Sequence, residues 1–134
     1  MCAALSYSAA MAHLHGLGQE LSPAVPRRKF DLAHMRVLVG ALGDPQRQFA
    51  SVLIAGTNGK GSTAATLASI LAAAGVRTAL YTSPHLVRAT ERIQTAGCVV
   101  AGGFAEIGEE DFARLYFRVD ETARRLVADC SRGP

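Results

Sequence analysis

The chain has 134 residues, of which 49% are hydrophobic and 6% aromatic, and its formal net charge is +3. This composition suits a globular domain with an ordinary core, while scattered cations and the lack of Trp argue against a nucleic-acid-binding surface. Three cysteines without metal-ligand spacing argue against a zinc site and a disulfide framework, and they predict a reducing compartment.

The sequence offers no targeting or membrane signal. Its N-terminus has no basic segment followed by a long apolar one, which a secretory signal would need. No stretch reaches the roughly 18 uninterrupted apolar residues of a membrane-spanning helix. We therefore expect a cytoplasmic protein.

Two helices are predicted in the first third of the chain. The apolar residues at helical spacing are Met11, Leu14, Leu17 and Leu21 within residues 8–21, and Leu32, Met35, Val37, Leu38 and Leu42 within residues 32–42. Ser22 and Pro23 follow the first segment, and Gly43, Asp44 and Pro45 follow the second. Both helices are expected to end at these residues.

A strand, a glycine-rich loop, a helix and a second strand are predicted next. The apolar residues 52–55 are typical of a strand that is buried on both faces of a parallel sheet. The following helix has its apolar face at Ala64, Leu67, Ala68, Leu71 and Ala72. Gly75 is expected to end this helix. Residues 78–82 predict the second strand and complete a right-handed βαβ unit, so the fold class is α/β, with a parallel sheet of the P-loop type and flanking helices.

A hairpin and a long helix are predicted toward the end of the chain. The hairpin would span residues 92–100, with Ala96 and Gly97 at its centre. Residues 109–128 form the helix, whose acidic first turn suits the helix dipole. Its predicted apolar face consists of Phe112, Leu115, Tyr116, Val119, Ala123, Leu126 and Val127. The sequence indicates no function for residues 101–108.

Residues 56–62 predict a phosphate-binding loop. Gly56, Gly59 and Gly61 leave the backbone free of side chains at the closest approach, and the helix that begins near Ser62 directs its positive end toward an anion. Lys60 can reach the outer phosphates, and a hydroxyl at the start of the helix can contact Mg²⁺. The alternative is a turn that only links strand to helix, which the lysine at the tip argues against.

This loop departs from the ordinary pattern GxxxxGK[ST]. Ile54 stands where the first Gly would be, and Gly61 separates Lys60 from Ser62. The departure makes an ordinary kinase or GTPase loop less expected and requires a variant of the motif.

Several motifs occur in a fixed order along the chain. They are Phe-Asp-Leu-Ala-His-Met-Arg at 30–36, Ala-Gly-Thr-Asn-Gly-Lys-Gly-Ser-Thr at 55–63, Tyr-Thr-Ser-Pro-His-Leu-Val at 81–87 and Glu-Arg-Ile at 91–93. In this order they resemble the bifunctional folylpolyglutamate synthase/dihydrofolate synthase family of the Mur ligase superfamily. The resemblance is firmest over residues 28–94. It implies that residues 1–134 are a partial N-terminal ATP-binding domain and that the C-terminal ligase domain is absent from them.

The resemblance also implies the cofactors ATP and Mg²⁺ and the residues that bind them. The ATP phosphates would be held by Thr57, Asn58, Gly59, Lys60, Gly61 and Ser62, with Lys60 as the catalytic cation. The pterin substrate would lie near Asp31, Leu32, Ala33 and His34. Residues 32–36 read Leu-Ala-His-Met-Arg where other members have Leu-Gly-Leu-Glu-Arg, so this segment departs from the family pattern.

Ser83 is the Mg²⁺ ligand that the resemblance implies. A hydroxyl is a hard oxygen donor suited to Mg²⁺. A residue just past the carboxyl end of a parallel strand beside the loop strand would face the same crevice as the phosphates. The alternative for this residue is a Ser-Pro turn without a ligand.

By resemblance, the reaction phosphorylates a carboxylate of dihydropteroate or tetrahydrofolate with ATP, and the amine of L-glutamate then attacks the acyl phosphate. Further Mg²⁺ ligands, a Glu and a His, would lie beyond residue 134. We expect a full-length enzyme that is monomeric and acts on small molecules without nucleic acid or membrane. The 134 residues alone are expected to be inactive.

Three alternatives remain open at this point. Other Mur-type ligases typically have Gly-Lys-Thr without the extra glycine at 61. A small P-loop kinase or NTPase would turn over ATP by itself, and a nucleotide-binding module would bind ATP without turnover. His85 is expected to be a loop residue bonded to backbone, and Asp31 and Glu91 are expected to be solvated or structural.

Overall fold

The computed structural model describes residues 6–18, 32–96 and 103–131. The helices are α1 (Tyr7–Gly18), α2 (Leu32–Ala41), α3 (Lys60–Ala73) and α4 (Glu109–Ser131); the strands are β1 (Ala79–Tyr81), β2 (Ile93–Ala96) and β3 (Phe104–Glu106); short 3₁₀ helices span Pro45–Arg47 and Ala89–Arg92. Within these ranges the four predicted helices and the α/β class are confirmed. The chain divides into two compact units, one of residues 1–51 and 110–134 and the other of residues 52–109.

In the first unit, α1 packs against α4 through small and aromatic side chains. Ala10 and Ala113 are fully buried, and the ring of Tyr7 meets the edge of Phe112 with centroids 5.5 Å apart. Farther along, the His13 ring lies 5.9 Å from that of Tyr116. The fully buried residues of this unit are thus two alanines, and the contacts between the helices are made by aromatic side chains and His13.

The faces predicted for α1 and α4 are therefore partly wrong. The exposed apolar residues of these two helices include Leu14, Leu17, Leu115, Val119 and Val127. Phe112 and Tyr116 of the predicted face do contact α1, but the other residues of α4 on this side are Ala113, which is fully buried, and Asp120, whose side chain is only 17% exposed. The buried positions are those that face the partner helix, and the hydropathy of the sequence alone does not identify them.

α2 ends at the predicted glycine but buries none of its residues. Gly43 has a φ of 85° and its N–H donates to Gly40 O at 3.0 Å, while the Asp44 N–H donates to Val39 O at 2.8 Å. These two bonds satisfy carbonyls of the last helical turn, as a glycine in the left-handed region permits. The helix stop is confirmed.

In the second unit, α3 has the predicted apolar face. Ala68 is buried and the other four predicted residues are half-buried. The helix ends in the same type of cap as α2, since Gly75 has a φ of 79° and the Val76 N–H donates to Leu71 O at 3.0 Å. The position of the glycine and the helical period were both visible in the sequence.

The sheet is antiparallel throughout, in the order β1-β2-β3. Leu80 pairs with Gln94, and Thr95 pairs with Ala105. The predicted second strand is confirmed as β1, but its partner among the described residues is β2 and not a parallel strand before the loop. The predicted βαβ unit with parallel pairing is not formed within residues 52–96.

Residues 52–55 have no regular secondary structure, which contradicts the predicted buried strand. Leu53 is 93% exposed and Val52 is 69% exposed. A strand requires a neighbouring strand to accept its ladder hydrogen bonds, and β1 makes its ladder with β2. An apolar, β-branched run is therefore insufficient to define a strand where no partner edge is engaged.

β2 and β3 form a hairpin, although its centre differs from the predicted one. Ala96 pairs with Phe104, so the connection covers residues 97–103, of which 97–102 lie outside the described residues. The returning strand lies within residues 101–108, for which the sequence indicated no function.

Within the described ranges, no helix is long and apolar enough to cross a bilayer.

Candidate functional site

The glycine-rich loop leads directly into α3. Gly59 is the N-cap with a φ of 73° and a ψ of 1°, a left-handed conformation that favours glycine. The helix begins at Lys60, two residues before the predicted start. The Thr63 N–H donates to Gly59 O at 3.0 Å and is the first intrahelical donor, so the N–H groups of residues 60–62 come before it and have no acceptor within the helix. N–H groups at a helix N-terminus, together with the positive end of the helix dipole, can bind an anion.

Lys60 folds back over the loop. Its Nζ donates to Gly56 O at 2.6 Å and to Thr57 O at 3.1 Å. The ammonium group is exposed and is held by these two carbonyl oxygens of its own loop. Because an anion can replace these carbonyl contacts, Lys60 is placed to meet a phosphate at the mouth of the loop.

The hydroxyls at the start of α3 differ in their contacts. Thr63 Oγ1 donates to Gly59 O at 2.9 Å, which fixes the rotamer of Thr63 against the turn before it. Ser62, Thr57 and Asn58 have exposed side chains. Residues 56–62 thus gather the predicted phosphate-binding residues in one exposed loop and one helix N-terminus.

Ser83 lies in the same compact unit, in the loop that follows β1. Its side chain is exposed, the peptide bond to Pro84 is cis, and α3 packs against β1. Ser83 does not follow a strand that lies parallel to one before the phosphate loop, because residues 52–55 form no strand. Its assignment as a Mg²⁺ ligand therefore rests on the motif and on its exposed hydroxyl.

The Ser83 loop is tied to the 3₁₀ helix Ala89–Arg92. Glu91 accepts hydrogen bonds from three consecutive backbone N–H groups, those of Leu86 at 2.8 Å, Val87 at 3.1 Å and Arg88 at 2.8 Å. These bonds, that of Leu86 first, hold the pKa of the Glu91 carboxyl below its ordinary value, against a smaller opposing effect of desolvation. Arg92 Nε donates to His85 Nδ1 at 2.7 Å.

The predicted pterin segment lies in the other compact unit. Asp31 is outside the described residues, while Leu32, Ala33 and His34 form the first turn of α2 and are exposed. The phosphate loop and Ser83 therefore belong to one compact unit and the α2 segment to the other.

The contacts of Glu91 and Glu106 were missed at the sequence level. Glu91 is the third residue of a 3₁₀ helix whose N-cap is Arg88, and a Glu at this position is one half of a capping box. The pattern was hidden because the N-cap is Arg and not Ser or Thr. Nothing in the sequence indicated that Glu106 accepts from Arg88 Nη2 at 3.1 Å and from Thr90 Oγ1 at 3.0 Å.

The described residues contain no group of three or more His, Cys, Asp or Glu side chains that could hold a metal ion. Mg²⁺ commonly keeps several waters and binds through one or two protein oxygens together with substrate phosphates. The exposed hydroxyls of Ser62 and Ser83 match that requirement. The donors in this unit thus suit a nucleotide-bound Mg²⁺ better than a metal held by protein alone.

Known sequences that resemble this chain include folylpolyglutamate synthases and dihydrofolate synthases. Folylpolyglutamate synthase of Lacticaseibacillus casei is 38% identical over 89 residues, which is 66% of this chain and 19% of the relative. Dihydrofolate synthase/folylpolyglutamate synthase of Escherichia coli K12 is 48% identical over 71 residues, 48% of this chain and 17% of the relative. No protein-family model matches the chain.

Solved structures agree with these sequence relatives. The folylpolyglutamate synthetase from Lactobacillus casei superposes with a TM-score of 0.76 at 30% identity and covers 95% of this chain and 28% of its own. A complex of such a synthase with AMPPCP and folate has a TM-score of 0.74. The bifunctional folylpolyglutamate synthase/dihydrofolate synthase with Mn, AMPPNP and L-glutamate bound has a TM-score of 0.69 at 28% identity.

The chain spans about a fifth of the length of the curated relatives it matches and about a quarter of the solved ones. In both sequence and fold, it is related to the folylpolyglutamate synthases and dihydrofolate synthases and corresponds to a part of their length.

Proposed function

We propose that the chain supplies the ATP-binding part of a ligase that joins L-glutamate to dihydropteroate or tetrahydrofolate. The main support is the loop of residues 56–62, where Lys60 lies over the loop carbonyls at the N-terminus of α3. Relatives crystallised with an ATP analogue, folate, Mn or L-glutamate support the same substrates and a divalent cation. The complete enzyme is proposed to be a cytoplasmic monomer.

The residues present have distinct tasks in this reaction. The N–H groups at the start of α3 and the Lys60 ammonium neutralise the phosphates of ATP and stabilise charge on the transferred phosphoryl group. Ser62 and Ser83 would hold Mg²⁺, which further neutralises phosphate charge when bound. The γ-phosphoryl group of ATP would pass to the carboxylate of the acceptor with release of ADP, and the glutamate amine would then attack the acyl phosphate, which forms the amide bond and releases inorganic phosphate.

Lys60→Ala tests this proposal. In the 134-residue chain we expect wild type to bind ATP more tightly with Mg²⁺ than with EDTA and the variant to lose most of this affinity, as measured by titration calorimetry. In a full-length enzyme, ligation should fall by about 10²-fold or more, the scale for loss of a group that stabilises transition-state charge.

Two control variants separate this effect from loss of charge alone. Lys60→Arg keeps a cation in the loop and should retain part of the affinity, and Arg125→Ala removes an exposed cation of α4 that pairs with Glu121 and should change nothing. Near-normal ligation by Lys60→Ala would contradict the assignment.

The acceptor assay distinguishes the alternatives. Ligation of glutamate to dihydropteroate or tetrahydrofolate by the full-length enzyme supports the proposal, and ligation of amino acids to a cell-wall precursor instead would identify another Mur-type ligase. ATP hydrolysis by the 134 residues without an acceptor would favour an NTPase, and ATP binding without turnover in the full-length protein would favour a nucleotide-binding module.

A further inference from the structure

Glu91 occupies a site that backbone N–H groups normally offer to an external anion. The N–H groups of residues 86–88 converge on its carboxylate at 2.8 to 3.1 Å. Oε1 accepts hydrogen bonds from Val87 and Arg88, and Oε2 accepts one from Leu86. Successive N–H groups that converge in this way form an anion-binding concavity. The loop therefore carries its own anion and does not present these donors to a phosphate.

Further contacts tie both ends of the loop to the same 3₁₀ helix. The Thr82 N–H donates to Arg92 O at 3.0 Å before Ser83, and Arg92 Nε donates to His85 Nδ1 at 2.7 Å after it. Thr82 and His85, which lie on either side of Ser83, are thus linked to Arg92, and residues 86–88 are linked to Glu91.

The 3₁₀ helix is held in place by burial and by a hydrogen bond to β3. Ala89 and Thr90 are buried, and Thr90 Oγ1 donates to Glu106 of β3 at 3.0 Å. By contrast, Leu86 and Val87 are 93% and 82% exposed, so apolar packing contributes little to holding them. The hydrogen bonds to Glu91 are what restrain this part of the loop.

We propose that Glu91 is a positioning residue, whose carboxylate fixes the loop of residues 83–88 so that Ser83 presents its hydroxyl to a nucleotide-bound divalent cation. The inference rests on the proposed role of Ser83. It assigns opposite tasks to the two loops of this unit, because residues 56–62 offer backbone donors to phosphate while residues 83–88 have their donors satisfied internally and offer a side-chain oxygen to the cation.

The first test measures the loop directly. In Glu91→Ala, the amides of residues 86–88 should lose protection from hydrogen exchange, and added formate should restore it by occupying the vacated concavity. Glu91→Gln should give an intermediate result, since its single carbonyl oxygen can serve Val87 and Arg88 while its NH₂ group faces Leu86. Glu109→Ala removes an exposed carboxylate of the same compact unit and should leave these amides unchanged.

The second test measures cation-dependent nucleotide binding. The ratio of the ATP dissociation constants in EDTA and in Mg²⁺ should exceed one in wild type and fall to about one in Glu91→Ala, while the constant in EDTA stays the same. Formate should restore the ratio in Glu91→Ala. Ser83→Ala should also lower the ratio toward one but leave the exchange of residues 86–88 intact, and formate should not restore the ratio in this variant.

The outcomes separate the two ideas. If Ser83→Ala matches wild type in its Mg²⁺ dependence, the proposed role of Ser83 fails, and the inference fails with it. If Ser83→Ala loses the dependence while Glu91→Ala and Glu91→Gln keep it, the inference alone is overturned. Unchanged exchange at residues 86–88 in Glu91→Ala also overturns it. If Glu91→Ala fails to fold, Glu91→Gln decides through its exchange and its Mg²⁺ ratio.

Discussion

At the residue scale, two ionised side chains fold back on their own loops with opposite polarity. The Lys60 ammonium bonds to carbonyl oxygens of residues 56 and 57, while the Glu91 carboxylate accepts from the N–H groups of residues 86–88. Charge-assisted hydrogen bonds of this kind are stronger than neutral ones and can order short loops that bury little apolar surface. Both residues are therefore suited to shape a site that remains exposed.

The pH dependence of the Glu91 contacts follows from its pKa. The Leu86 N–H bond, followed by those of Arg88 and Val87, lowers the pKa of Glu91 from its ordinary value of 4.5. A carboxyl with a lowered folded-state pKa stabilises the fold above the unfolded pKa, and this stabilisation is lost as the pH falls through the folded value.

We therefore expect the amide resonances of residues 86–88 to remain constant from neutral pH down to about 4.5 and to shift together below it. An NMR titration measures this, and Glu91→Gln should remove the shift. A transition of these amides near neutral pH would contradict the assignment to Glu91.

In the first unit, Tyr116→Phe should destabilise the α1–α4 contact. Arg124 Nη2 lies 3.1 Å from His13 Nε2, and because arginine only donates, Nε2 is the acceptor of this bond and Nδ1 carries the ring proton. Nδ1 then donates to the Tyr116 hydroxyl at 2.7 Å. Loss of this bond should lower the free energy of unfolding by about 1 kcal/mol in urea titrations. Tyr81→Phe, at a 65% exposed ring, should have little effect.

At the element scale, α3 illustrates why some predictions succeeded. Its period, its capping glycine and its N-terminal loop all depend on residues within a few positions of each other. The segment at 52–55 depended on a distant partner strand, and there the prediction was wrong. The same difference between local and distant contacts is seen at the site. The loop of residues 56–62 before α3 was predicted from neighbouring residues, whereas the contact between Arg88 and the distant Glu106 was not.

Gly61→Ala should separate helix stability from nucleotide binding. Gly61 lies in the first turn of α3, its φ is not in the left-handed region and a Cβ there would meet no atom within 4 Å. Alanine should therefore raise the free energy of unfolding by up to about 1 kcal/mol, while ATP affinity falls because the methyl group enters the phosphate approach.

Gly16→Ala is the matched control for this change. Gly16 is also helical with open space around it, but it lies in α1. A similar gain in stability with unchanged ATP affinity is expected. Unchanged ATP affinity in Gly61→Ala, measured by calorimetry, would argue that phosphate does not approach residue 61.

At the scale of the whole molecule, the buried residues are small and the large apolar ones are often exposed. Within the described ranges the buried side chains are Ala10, Ala68, Ala89, Ala113 and Thr90. Leu53 and Leu86, each 93% exposed, belong to the second unit. Burial of alanine removes little apolar area from water, so each unit should be only marginally stable by itself.

Leu53→Ser combined with Leu86→Ser should reduce self-association of the 134-residue chain. Exposed apolar side chains promote association, and replacing these two removes none of the buried contacts. Sedimentation velocity should show fewer oligomers, and the melting temperature should change little.

Ala68→Leu, at a buried residue, should instead lower the free energy of unfolding by about 1–3 kcal/mol, because the larger side chain overpacks the site.

The sequence alone determined the features that depend on neighbouring residues: the helix ends at Gly43 and Gly75, the apolar face of α3 and the glycine-lysine loop at its start. The tertiary structure alone decided which helix faces are covered, the antiparallel pairing of β1 with β2 and the contact of Glu106 in β3 with Arg88 of the Ser83 loop. The physical reason is that caps and turns are satisfied by hydrogen bonds within a few residues. Burial and strand pairing depend instead on which distant element supplies the partner.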